Sequence, residues 1–429
     1  MVKFWYWFYN IFLFPTFCFV FRIVSLFNEK ARIGLKGRKG TNKLLEKIIA
    51  EQGEINRKKV IIHCSSLGEY QQSIPLIEKL IDKNFKIIIT FFSPSGYNNA
   101  KLPDNDILKL YIPCDSIFQV KKFFDLLKPD LIILMRYDLW FNFLYQAKRR
   151  NIKVIIANAR YDEKDPYWKT FFTGSFKKSL YSLVDSIFVI DKDDERNFRN
   201  KLKEYSGEIV LVGDSKYERV YQSLKDLKGN NIIPDNISKN KKVFVIGSSW
   251  KDDEEILLPV IDKILNYEKN LLTILVPHEP KETKISAIEK KISARYKNLK
   301  FIRYSELNNY NNQNLIIIDS VGKLAKLYSI AYLSYVGGGF RTGLHNILEP
   351  VIFNVPVFFS NLVKNSDEDE ILLKTGCGIV IKDKKQFYKI FRKLLSDEKM
   401  RNEISTKCSE IFKETLGTAE KIINHILIN

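Results

Sequence analysis

The sequence predicts an α/β protein with two parallel-sheet domains behind an apolar amino terminus, on three observations. Its 429 residues correspond to two or three domains of about 150 residues each, and 45% hydrophobic content is enough to fill more than one core. From residue 58 onward, short β-branched runs alternate with longer amphipathic stretches, the pattern of parallel strands covered by helices on both faces. Ahead of that alternation stands one apolar, aromatic run at residues 4–26.

That run reads FWYWFYNIFLFPTFCFVFRIVSL, interrupted by Asn10, Pro15 and Arg22. About 20 apolar residues suffice to cross a bilayer. Trp5, Tyr6, Trp7 and Tyr9 suit a headgroup interface, and Arg22 can snorkel to it. Lys30, Arg32, Lys36, Arg38 and Lys39 follow, a basic stretch of the kind retained on the cytoplasmic side. No small-residue cleavage site follows, which disfavours a signal peptide. The expectation is a membrane anchor over residues 1–27, spanning the bilayer or lying in its interface, at the inner (cytoplasmic) membrane with the rest of the chain on the cytoplasmic face. The alternative is a buried helix of the first domain.

Strand-like runs fall at 60–64, 86–91, 131–135, 154–158, 186–190 and 209–212, with helix-like segments such as 71–81, 117–127 and 139–150 between them. The alternation resumes at 243–247, 271–276, 315–318, 333–336 and 355–359. The weakest strand signal lies at 222–242, rich in Lys, Asn, Asp and Ser, so the boundary is placed there: a first Rossmann-like domain over 28–225 and a second over 226–429. A ligand in a cleft between two such domains follows from strand-end chemistry.

Sixty-nine Lys+Arg stand against 50 Asp+Glu, a formal excess of +19. That balance suits a polyanion or an anionic lipid surface and disfavours a cationic partner. Cys18, Cys64, Cys114, Cys377 and Cys408 are dispersed without CxxC spacing, which reads as reduced thiols and not as a disulfide framework. Four separated histidines give no zinc pattern.

Two strand ends carry chemistry. His63-Cys64-Ser65-Ser66-Leu67-Gly68-Glu69 sits where a strand passes into a helix, aiming the Glu69 carboxylate at the ligand edge of the sheet. There it can take a proton from a hydroxyl, or simply stabilise the helix start. Tyr335-Val336-Gly337-Gly338-Gly339-Phe340-Arg341 precedes His345-Asn346-Ile347-Leu348-Glu349-Pro350. Glycines after a buried strand let the backbone approach a phosphate, and Glu349 can meet ribose hydroxyls. Neither GxGxxG nor GK[ST] is present. Gly247-Ser248-Ser249 and Val276-Pro277-His278-Glu279-Pro280 end two further strands in the same domain. Several such loops converging indicate a nucleotide pocket. No nucleophile elbow, HExxH or DxD-like pair suggests a metal or another cofactor.

Taken in order, the blocks HCSSLGEYQQSIPLI, ILMRYDLWFNFLYQAKRRNIKVIIANAR, VGDSKYE, GSSWKDDEE, ILVPHEP, VGGGFRTGLHNILEPVIFNVPVFF and LLKTGCGIVI resemble the 3-deoxy-D-manno-octulosonic acid (Kdo) transferases of lipopolysaccharide biosynthesis. The resemblance implies a GT-B type, metal-independent glycosyltransferase that moves Kdo from CMP-Kdo to a lipid A precursor (lipid IVA). It implies that Glu69 is the general base, that Lys216 stabilises the transition state, and that Asp138 keeps an acidic role. It implies CMP contacts from Pro277 and His278, from Val321, Gly322 and Lys323, and from Asn346, Ile347, Leu348 and Glu349. Gly247, Ser248 and Ser249 join them as strand-end donors. Three positions depart from the family pattern: His278 replaces the usual arginine, Lys323 a common glutamate, and Arg136 the first member of an acidic pair.

Rival expectations are another membrane-associated GT-B nucleotide-sugar transferase and a non-catalytic nucleotide-binding membrane protein. Nucleic-acid binding is disfavoured, since no RNP-like aromatic motif accompanies the basic charge.

Overall fold

The structure, a computed structural model, describes residues 1–52, 57–163, 165–225, 227, 231–338, 347–360 and 367–428. The chain divides into two compact units, the first Met1–Arg219 with Thr415–Asn429, the second Val220–Glu414.

The first unit is built on β1 (Lys59–Cys64), β2 (Lys86–Phe91), β3 (Leu108–Tyr111), β4 (Leu131–Met135), β5 (Lys153–Ala159), β6 (Ser186–Val189) and β7 (Glu208–Leu211). They form one sheet in the order β3-β2-β1-β4-β5-β6-β7, parallel throughout. Alternate side chains serve opposite layers, as the pleat requires. Ile61, Ile88, Ile132 and Ile156 pack on one face, while Ile62, Ile89, Ile133 and Ile155 pack on the other. Strand order reverses between β1 and β4, and such a reversal opens a crevice at the carboxyl ends of the strands.

The apolar amino terminus has two characters. Val2–Phe27 is long and apolar enough to cross a membrane. It also gives Trp5 and Tyr9 to the first unit's core. The Trp5 indole donates to Ser175 Oγ at 3.1 Å and the Tyr9 hydroxyl donates to Asp115 Oδ2 at 2.8 Å. Trp7, Phe12, Phe19 and Phe27 remain exposed on the same segment. The expected anchor is therefore fastened to the first unit along one side and presents an apolar face on the other.

The second unit carries β8 (Lys242–Ser249), β9 (Leu271–Pro277), β10 (Phe301–Arg303), β11 (Leu315–Ile317), β12 (Leu333–Val336), β13 (Val357–Ser360) and β14 (Gly378–Ile381). Their order is β10-β11-β9-β8-β12-β13-β14, again parallel, with the reversal between β8 and β12. Phe244, Phe358, Phe387 and Phe391 form an aromatic knot in its core.

Three differences from the sequence reading have physical causes. Strands β3, β10 and β14 lie at sheet edges, where short, half-buried runs lack the continuous apolar signal of central strands. The last helix, Thr418–Ile428, belongs to the first unit rather than the second, because Ala419, Ile422 and Ile423 complete the layer over β1 and β2. The cysteines are not all thiols: Cys377 and Cys408 form a disulfide across a sequence separation of 31, leaving Cys18, Cys64 and Cys114 free. Their spacing gave no sign of pairing, since helix Glu398–Thr415 brings Cys408 back to the residue preceding β14.

Candidate functional site

In the first unit, the reversal point is flanked by the ends of β1 and β4, which carry Glu69 and Asp138 respectively. Ser66 caps helix Leu67–Asp82, its hydroxyl accepting from the Glu69 amide at 3.3 Å. The Glu69 carboxylate turns back, and Oε2 accepts from the Ser65 amide at 2.5 Å. Glu69 thus serves the helix start, while its Oε1 accepts no hydrogen bond among the described residues. Burial pushes its carboxyl above the ordinary glutamate value, against the pull of the Ser65 amide and His63.

Asp138 is driven the other way. Desolvation raises its carboxyl, but hydrogen bonding and charge from His63, then bonding from Ser65, hold it below the ordinary aspartate range. His63 is fully buried, with Nε2 2.9 Å from Asp138 Oδ2 and Nδ1 2.9 Å from Thr90 Oγ1. An ionised Asp138 can only accept, so His63 Nε2 carries the proton of that bond. Two carboxylates are thereby poised differently at one strand-end site.

A second cluster surrounds the buried Asp214, which follows β7. Burial raises its carboxyl, while the Lys216 amide and the charges of Arg136, Lys216 and Arg160 lower it. The Lys216 amide donates to Asp214 Oδ1 at 2.8 Å, and Asn158 Nδ2 donates to the same oxygen at 3.1 Å. Arg136 leaves β4 in the left-handed region at φ 64° and donates through Nε to Gln72 Oε1. Lys216 was expected from sequence. Arg160 and the Asn158–Asp214 pair were not singled out, since only strand order places the ends of β4 and β5 side by side. The one available signal was the arginine directly after β5.

In the second unit, Gly247, Ser248 and Ser249 lie at the end of β8. A Cβ on Gly247 would collide with the Tyr328 hydroxyl, and one on Gly337 with the Ser248 carbonyl, so close backbone approach requires both glycines. Ser248 takes φ 51°, a strained value for a non-glycine residue. The amide donors expected here are partly taken within the protein: Trp250 and Gly338 both donate to Asp253 Oδ2, at 2.8 and 3.2 Å, and the Tyr335 hydroxyl donates to Oδ1 at 2.5 Å. Glu254, behind Ser249, is pushed up to about 7 by burial despite Lys291 and the 3.2 Å bond from Ser249 Oγ.

Pro277 closes β9, and the His278 amide donates to the Ser249 carbonyl at 3.0 Å. The exposed His278 ring stacks on Trp250 with centroids 4.6 Å apart, and Lys284 stands over the same indole at 5.3 Å. Val321 is exposed, Gly322 has φ 78° with open space where a Cβ would be, and Lys323 Nζ lies 5.4 Å from the Tyr304 ring centroid. Leu324 and Tyr328 of the following helix pack on Gly247, and the Glu349 charge acts on Tyr328. Two of the expected loops therefore meet the end of β8: the one at His278 through the Ser249 carbonyl, and the one at Lys323 through Leu324 and Tyr328 of its following helix against Gly247. Ile347 and Leu348 are buried, so only their backbones are available to a ligand. Gly339, Phe340, Arg341, His345 and Asn346 lie outside the described residues. Among the described residues, no three His, Cys, Asp or Glu side chains gather in a group able to hold a metal.

Residues 32–219 match a family model described as 3-deoxy-D-manno-octulosonic-acid transferase (kdotransferase). A 3-deoxy-D-manno-octulosonic acid transferase from Haemophilus influenzae is 28% identical over 385 residues, covering 85% of this chain and 86% of that one. A bifunctional glycosyltransferase/methyltransferase from Fusobacterium nucleatum is 28% identical over 380 residues, covering 85% of this chain, which spans 57% of that relative's length. Among solved structures, a UDP-GlcNAc 2-epimerase from Neisseria meningitidis bound to UDP-GlcNAc covers 86% of this chain and 100% of its own, at 14% identity and a TM-score of 0.57. That likeness concerns the fold of two Rossmann-like domains.

Proposed function

We propose that this chain, whose residues 32–219 match the Kdo-transferase family model, is a Kdo transferase that moves Kdo from CMP-Kdo to a lipid A precursor at the cytoplasmic face of the inner membrane. The observation that carries the proposal is the pair Glu69 and Asp138 at the reversal point of the first sheet, with their carboxyls displaced in opposite directions. Such a split distinguishes a proton acceptor from a neighbouring carboxyl that favours its ionised form.

In this reading Glu69 Oε1 takes the proton of the acceptor hydroxyl. The hydroxyl oxygen then bonds to the anomeric carbon of Kdo as the bond from that carbon to the CMP phosphate oxygen breaks, and the electron pair leaves with CMP. Asp138, kept ionised by His63, favours the protonated form of Glu69 as the charge develops. Lys216, with Arg136 and Arg160, supplies positive potential for the anionic sugar. The second unit holds CMP through the loops at Gly247–Ser249, Pro277–His278 and Val321–Lys323 and through Glu349. Trp250 stacked with His278 offers a platform at the end of β9. The exposed aromatics of residues 2–27 and the basic excess attach the protein to an anionic membrane surface.

The test is incubation of the full chain with CMP-Kdo and a tetraacylated lipid A precursor, followed by mass spectrometry of the lipid. A mass gain of one or more Kdo units with matching CMP release is expected. An unmodified lipid beside intact CMP-Kdo would refute the proposal.

A further inference from the structure

The first unit holds a cavity of about 350 Å³ between the amino-terminal helices and the carboxyl edge of its sheet. That volume falls in the range of small-molecule sites, about 300–1,000 Å³. Its walls come from helix Phe14–Phe27, from helix Glu29–Gln52, and from the segments following β2, β3 and β4. Phe17, Phe21, Leu35, Phe92, Ile112 and Trp140 make it apolar. Phe92 and Trp140 stack with centroids 5.2 Å apart, and Phe17 meets the Trp140 edge at 5.7 Å.

The polar groups in the lining are arranged in two ways. Arg38 is buried and fixed: its guanidinium lies 4.2 Å from the Phe92 centroid and 4.9 Å from that of Phe21, and Nη1 donates to the Phe92 carbonyl at 2.8 Å. Asp115 is consumed by donors from Tyr9, Asn142 and Phe143. Arg22 and Lys39 are exposed, and neither has an ion pair among the described residues. The result is an apolar chamber with two uncommitted cations at its edge. Trp140, in its wall, stands two residues after Asp138.

We infer that this cavity receives an acyl chain of the lipid acceptor, with Arg22 and Lys39 meeting the phosphate of the same molecule. The inference rests on the proposed acceptor being a phosphorylated, acylated lipid. An unbranched chain matches a chamber lined by ring faces and a leucine, where hydration is poor and no hydrogen bond must be met. The cations supply what a bare hydrocarbon site would lack, a preference for an anionic headgroup. The exposed aromatic face of the same amino-terminal segment sets the chamber beside the bilayer from which such a lipid comes.

The experiment compares the full chain with Cys18→Trp, which fills the cavity from its wall, and with Arg22→Glu/Lys39→Glu, which reverses the rim charge without touching the core. Each is assayed with the tetraacylated precursor and with its fully deacylated, still phosphorylated disaccharide. Binding of the acylated lipid is measured in parallel by titration in detergent micelles, with phosphatidylglycerol as competitor. The wild type should prefer the acylated acceptor in kcat/KM, Cys18→Trp should reduce that ratio at least tenfold, and the charge variant should weaken acylated-lipid binding several-fold. An unchanged ratio and unchanged binding in both variants would overturn the inference, as would phosphatidylglycerol competing on equal terms. Lipid binding lost in Cys18→Trp, in a protein that transfers Kdo to neither acceptor, would retain the cavity assignment and overturn the transferase reading instead.

Discussion

His63 and Asp138, 75 residues apart in sequence, lie 2.9 Å from each other, and the far side of the same imidazole is held by Thr90 at 2.9 Å. The contact exists because β1 pairs with β4 on one side and with β2 on the other, so His63 stands between Leu134 and Thr90 in register. It fixes both the direction and the ionised state of Asp138. His63→Ala should raise the Asp138 carboxyl and lower the transfer rate by about 10–100-fold, and His63→Gln should recover part of it by restoring a donor. Since the folded carboxyl is depressed, its contribution to stability is complete above about pH 3.9, the unfolded aspartate value, and is lost as pH falls through the lower folded value. Acid titration followed by circular dichroism should therefore show the alanine variant lacking that increment.

Glu69→Gln isolates proton acceptance from helix capping, since a glutamine carbonyl still accepts from the Ser65 amide. The transfer rate should fall by at least about 100-fold, the lower end of general-base contributions, with CMP affinity unchanged. In the wild type the acid limb of kcat/KM should lie above the ordinary glutamate value of about 4.3, because burial raises this carboxyl. Near-normal turnover by the variant would move the base role to Asp138.

Glu349 lies in the first turn of the short helix Leu348–Ile352, and its charge reaches the buried Tyr328 that packs on Gly247. Glu349→Ala should weaken CMP binding by about 1–3 kcal/mol, the scale for leaving a polar partner unmatched. Calorimetric titration with CMP reads this directly, and unchanged affinity removes Glu349 from the nucleotide site.

Trp5 is 1% exposed and packs with Phe172 and Phe176. Trp5→Ala should destabilise the first unit by about 3–5 kcal/mol, and deletion of residues 1–27 should expose its core and cause aggregation even in detergent. A truncated protein with an unchanged unfolding midpoint would show the segment to be an anchor alone.

The Cys377–Cys408 bond closes a loop inside the second unit. Its removal by Cys408→Ser should lower stability by about 3 kcal/mol. Thiol counting with an alkylating agent in denaturant added at lysis tests the bond: three reactive sulfurs, Cys18, Cys64 and Cys114, report it, and five report its absence.

The amino-acid order alone determined the α/β class, the central strands, and the strand-end positions of Glu69, Lys216, Gly247–Ser249 and Pro277–His278. These are local properties: an apolar β-branched run flanked by a capping serine or a glycine declares itself within a dozen residues. What only the tertiary structure decided is everything that depends on which strands are neighbours. The His63–Asp138–Thr90 contact, the cations around Asp214, the Cys377–Cys408 bond and the return of helix Thr418–Ile428 to the first unit all join distant segments. Edge strands β3, β10 and β14 were hidden for a related reason, since half their pairing and burial is missing. The amino-terminal segment shows the limit most clearly. Its hydropathy is equally compatible with lipid and with core, and only the partners Ser175 and Asp115, which hold Trp5 and Tyr9, fix one side of it to the protein. Apolar burial is non-directional, so it marks a segment for removal from water without naming what covers it; directional hydrogen bonds and close packing make that choice once the chain has folded.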